Sequence, residues 1–71
     1  MGKTYLLKRE PVSIKVNNGI IAVNFGTEIL FINTSGWLIN RYTSAQEIQD
    51  IVLTNKLAGI VFKNKIEILS F

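Results

Sequence analysis

"SAQEIQDIVLTNKL", residues 44–57, is the stretch that decides the fold. At a helical period, Ser44 and Glu47 form a capping box, and Ile48, Ile51 and Val52 fall on one face. At period two, Ile51 and Leu53 alternate against Asp50 and Val52, and residues 47–53 form a strand. Taken alone, the local pattern leans towards the helix. The rest of the chain leans the other way.

Upstream, "PVSIKV" sets Val12, Ile14 and Val16 on one face with Ser13 and Lys15 opposite, a period-two strand. "NNG" (17–19) turns the chain, because Asn and Gly tolerate positive φ. "IIAVNF" is a second strand, Gly26 and Thr27 turn again, and "EILFIN" is a third. Ile29, Leu30, Phe31 and Ile32 are apolar on both sides, which predicts cover on both sides. Thr34, Ser35 and Gly36 lead to "WLINRY", a fourth strand. Downstream, "LAGIVF", "KN" and "KIEILSF" read as strand, turn and strand.

Sliding the chain by 37 positions against itself bears on the ambiguity. Tyr5 meets Tyr42, Glu10 meets Glu47, Ile14 meets Ile51, Asn18 meets Asn55, Phe25 meets Phe62, and Ile29 meets Ile66. These six identities fall among the 34 positions left to overlap when 37 is taken from 71, without a gap. Average composition would give about two. Val16 meets Leu53, Ile20 meets Leu57, Ala22 meets Gly59, Val23 meets Ile60, and Phe31 meets Ile68, so apolar stays apolar and small stays small. The register lays "EIQDIVL" on "EPVSIKV", which alternates cleanly and holds Pro11. Residues 47–53 are therefore read as a strand.

The expected architecture is all-β and a single domain, 1–71. It holds two four-stranded repeats of about 37 residues, at about 10–42 and 47–71, with residues 3–8 as an extra outer strand. The stretches "GIIAVNFGTEILFINTSGWLINRY" and "IQDIVLTNKLAGIVFKNKIEILSF" resemble blades of β-propellers of the WD-repeat and quinoprotein type. In those families a first strand ends in a polar turn. A strand with small residues, a short turn, an apolar strand and a Gly turn to an aromatic outer strand follow. The Gly-His and Trp-Asp dipeptides of the WD repeat are absent. The period is shorter than the usual 40–45 residues.

The resemblance implies an incomplete ring. Propellers close with about four to eight blades. Two blades alone leave apolar sheet faces in water. Copies of the chain are expected to close the ring, as a trimer or a tetramer, the N-terminal strand of one copy completing the last blade of the next. Otherwise the 71 residues belong to a longer propeller. The alternative architecture is a small β-barrel of five or six strands with a short helix at 44–54.

Composition narrows the chemistry. The absence of cysteine removes disulfides and thiolate metal sites, and the absence of histidine removes the commonest metal ligand and general base. No apolar run reaches the roughly 18 residues of a spanning helix. "MGKTYLLKRE" is charged too early for a signal peptide. The expectation is an intracellular, cytoplasmic protein away from membranes. Glu10, Glu28, Glu47, Asp50 and Glu67 have no neighbouring nucleophile or metal cluster, and read as solvated carboxylates. No enzyme, metal or cofactor is expected.

The first functional expectation is a non-catalytic interaction or scaffold module for a protein or peptide. The resemblance places its binding residues in the loops of one propeller face: Lys8, Arg9, Gly26, Thr27, Gln46, Lys63 and Asn64. They are polar and partly basic, which suits acidic partners. The second is a small basic barrel binding nucleic acid, with lysines on phosphates and Tyr5, Trp37 or Tyr42 stacked on bases. The net charge of +3 is spread along the chain, as on an ordinary solvated surface. A ring-shaped lectin is the third, with Trp37 alone available to face a sugar.

Overall fold

The computed structural model describes residue 4 and residues 7–71. It contains seven strands: β1 (Ser13–Asn17), β2 (Ile20–Asn24), β3 (Glu28–Asn33), β4 (Leu38–Thr43), β5 (Asp50–Leu53), β6 (Leu57–Val61) and β7 (Ile66–Ser70). They form two antiparallel meanders, a sheet β1-β2-β3-β4 and a sheet β5-β6-β7. Among the described residues there is no helix and no closed barrel. The alternative of a small barrel with a helix at 44–54 is thereby corrected. The outer strand expected at 3–8 falls mostly outside the described residues.

The turns follow from residue type. Asn18 (φ 49°) and Gly19 (φ 80°) form a two-residue hairpin loop with both φ positive, the geometry that matches the twist of the strands it joins. After β3, the Asn33 side-chain oxygen accepts from the amides of Ser35 and Trp37, both at 3.0 Å. Gly36 takes the left-handed position there, at φ 92°. In the third turn, Thr54 Oγ1 accepts from the amides of Lys56 (3.3 Å) and Leu57 (3.0 Å).

Long-range packing decides the ambiguous stretch. Ile51 and Leu53 are buried while Val52 between them is 58% exposed, which is the period of a strand. Ile51 pairs with Ile60 and Leu53 with Ala58. The capping box does not form: Ser44 Oγ accepts from the Gln46 amide at 3.0 Å in a local turn, and the Ser44 amide donates to Thr27 O at 2.8 Å. One helical turn at Ser44 could not match the cross-strand pairing and burial that β5 gains on β6.

The two sheets pack face to face on one core. Ala22, Ile29 and Phe31 of the first sheet meet Ile51, Leu53, Ala58 and Ile60 of the second, with Ile48 and Phe62 from its flanking loops. Three polar links cross between the sheets. Asn17 Nδ2 donates to Leu53 O at 2.5 Å, Lys15 pairs with Asp50 at 3.5 Å, and the Tyr42 hydroxyl donates to Glu67. The opposite face of the second sheet stays open, and that of the first is partly covered, with Val23 buried there. Ile14, Val16 and Leu38 are exposed on the first, and Val52, Leu57, Ile66 and Ile68 on the second. The cover expected on both sides of β3 is present on one: Ile29 and Phe31 are buried, Leu30 and Ile32 only half-buried.

The strands recur at the 37-residue shift. Adding 37 to the bounds of β2 gives those of β6. The pair Ile14–Val23 falls on Ile51–Ile60. The turn bond from the Phe25 amide to Glu28 O falls on that from the Phe62 amide to Lys65 O, each 2.8 Å.

Candidate functional site

One edge of the two-sheet body gathers three loops. The β2–β3 turn is shaped by Asn24, which is fully buried at the strand end. Its side-chain oxygen accepts from the Gly26 amide at 2.8 Å, and its Nδ2 donates to Ser13 Oγ at 3.4 Å. Both polar ends of this buried side chain are thus satisfied, which fixes the turn. Gly26 sits at φ 102°, a conformation that side chains rarely adopt. The β4–β5 connection is laced along the same edge. Ser44 N donates to Thr27 O (2.8 Å), Ile48 N to Gly26 O (2.7 Å) and Gln49 N to Val61 O (2.7 Å). The β6–β7 turn, closed between Phe62 and Lys65, carries Lys63 and Asn64.

Two clefts open on this edge. One, of about 600 Å³, is lined by Gln46, Glu47, Lys63 and Asn64. The other, of about 400 Å³, is lined by Leu7, Lys8, Arg9, Phe25, Glu28, Leu30 and Arg41. In the second, Glu28 is clamped between Arg9 and Arg41, the latter through Nε at 3.3 Å. The Arg9 guanidinium lies 4.2 Å from the centre of the Phe25 ring. These pairs are exposed, so each stabilises by about 0–1 kcal/mol. Three cations against one carboxylate leave the cleft positive, over the apolar side chains of Leu7, Phe25 and Leu30.

Five of the seven residues expected from the loops line these clefts: Lys8 and Arg9 in one, and Gln46, Lys63 and Asn64 in the other. Gly26 and Thr27 hold the edge together through their carbonyls. Glu28 and Arg41 were missed. They stand on adjacent strands, where Leu30 pairs with Arg41 only because a bulge between Phe31 and Ile32 shifts the register by one residue. A turn-derived register would put Arg41 on the other face.

Trp37 and Tyr42 stand at opposite ends of β4. Trp37, 72% exposed, precedes the start of β4, and Tyr42 lies near its other end with its hydroxyl on Glu67. Tyr5 lies outside the described residues. Burial, together with the hydrogen bond to Glu67 and its charge, pushes the Tyr42 hydroxyl from 10.0 up to about 12. The same bond, with a further one from Lys65 at 3.2 Å, holds the Glu67 carboxyl below its ordinary value. Among the described residues, no three of His, Cys, Asp and Glu converge on a point where a metal ion would sit. Among the described residues, no helix is long and apolar enough to cross a membrane.

No protein-family model matches the chain, and no curated protein matches it. Among solved structures it is similar to the crystal structure of Pyrococcus horikoshii Ph1500, with a TM-score of 0.71 at 15% sequence identity. The match covers all of this chain and 52% of the other, so the chain spans about half the length of the structure it resembles. At that identity the likeness is one of fold.

Proposed function

We propose that the chain is a non-catalytic interaction module. It is a pair of propeller-like blades that joins with copies of itself into a ring and presents its loop edge to an acidic peptide or protein surface. The observation that carries this reading is the loop edge. Residues as distant in sequence as Lys8 and Asn64 line two open clefts, held by backbone bonds from the β4–β5 connection to both sheets. Lys8, Arg9, Arg41 and Lys63 supply positive charge that steers an anionic partner. Gln46 and Asn64 offer amide donors and acceptors that match a peptide backbone. Leu7 and Phe25 offer apolar surface beside the cations.

The test is fluorescence anisotropy with a labelled peptide of alternating Glu and Leu, and with single-stranded DNA of equal charge in parallel. The reading predicts saturable peptide binding that weakens with salt. It also predicts a loss of about tenfold when Lys8, Arg9 and Lys63 are all changed to Glu. DNA binding without peptide binding would move the function to nucleic acid. No binding of either probe would contradict the assignment of this edge.

A further inference from the structure

We infer that copies of this chain stack head to tail, the open face of the β5–β7 sheet of one copy seating on the open face of the β1–β4 sheet of the next. The ring in the preceding section supplies the closure; the contact itself rests on the following observations.

Each open face is the counterpart, 37 residues away, of a face already buried inside the chain. On the second sheet, Gly59, Ile66 and Ile68 correspond to Ala22, Ile29 and Phe31, all fully buried against the β5–β7 sheet. On the first sheet, Ile14, Val16 and Ile21 correspond to Ile51, Leu53 and Ala58, part of the buried surface that receives them. The chain therefore carries both halves of one interface twice. One set is closed internally and the other is left open at its two ends. The strand pairings that orient these side chains also coincide at the shift.

Two charged positions at the internal interface have apolar counterparts on the open faces. Lys15, on the face of Ala22, corresponds to Val52, and Glu67, on the face of Ile60, corresponds to Leu30. Val16 is 67% exposed, Val52 58% and Ile68 65%, each within a patch of further aliphatic side chains. Contiguous exposed apolar surface of this kind marks an association site. The faces that meet internally are unlike each other, so the repeated contact is heterologous. Such a contact closes into a ring or runs on as a filament.

Half-blocked chains test this. Val16→Asp blocks the first face and leaves the second open; Ile68→Asp does the opposite. Ile14→Asp and Val52→Asp serve as a parallel pair, with far-UV circular dichroism on all four confirming that the sheets persist. Native mass is read by light scattering on a sizing column. The expected result is a wild-type species at a multiple of the 8.0 kDa chain. Each blocked chain alone should run as a monomer, and an equimolar mixture of Val16→Asp with Ile68→Asp should form a 1:1 dimer that grows no further. A monomeric wild type, a blocked chain that still pairs with itself, or a mixture of folded blocked chains that stays monomeric would overturn the inference. Peptide binding by the blocked monomers separates this from the loop-edge reading. Binding with a monomeric wild type sinks the stacking alone, and stacking without peptide binding sinks the loop edge alone.

Discussion

Tyr42 and Glu67 make the most telling polar contact between the sheets, because each perturbs the other. The carboxylate accepts from the phenol, so the fold favours ionised Glu67 and neutral Tyr42. Glu67 is held below its ordinary value. Its contribution to stability is present above the ordinary carboxylate range and is lost as pH falls through the lowered folded value. Tyr42 is raised from 10.0 to about 12, so its contribution holds below pH 10 and disappears as pH rises between those values. Ultraviolet titration of the folded chain should show one phenol ionising near 12. Tyr42→Phe should remove that step and let the Glu67 carboxyl rise towards its ordinary value, read by carbon NMR. A Glu67 carboxyl that does not move in Tyr42→Phe would show that the contact does not couple the sheets. Sequence offered no route to this pair, since Tyr42 reads there as an outer-strand aromatic and Glu67 as a solvated acid.

Among the elements, β5 best separates what a sequence holds from what a fold adds. Its helical signals are real: Ser44, Glu47 and the spacing of Ile48, Ile51 and Val52. They are outweighed by pairing with β6 and burial on the first sheet, both long-range. The register at 37 residues pointed to a strand over 47–53, of which the structure forms Asp50–Leu53. Turns were legible for a simpler reason. Asn18, Gly19 and Gly36 adopt backbone conformations that few other residues tolerate. The cleft partners Glu28 and Arg41 were illegible because a bulge of one residue resets the pairing of β3 with β4. Parity within β5 gives a direct check. On the Val16→Asp background, which blocks association, Leu53→Ala should cost about 2–5 kcal/mol in chemical denaturation. Val52→Ala, at an exposed position, should stay within about 0.5 kcal/mol. Equal costs would contradict the alternation that defines the strand.

At the scale of the whole molecule, a chain of 71 residues buries one layer between two sheets and leaves two apolar faces outside it. Small domains bury only about 60% of the surface their unfolded chains expose, so they stand to gain much from association. The proposed ring follows from the same interface used again between copies. It has an arithmetic consequence, because every copy contributes two sheets. The number of blades must be even and twice the number of chains. Three copies would give six blades and four would give eight, within the range of about four to eight that propellers use.

The most direct measurement is therefore electron microscopy of the wild-type chain, with the native mass determined on the same sample. The account predicts a rotationally symmetric ring whose blades number twice the copies given by its mass. A compact particle of 8.0 kDa, an open filament, or a ring with as many blades as chains would contradict it.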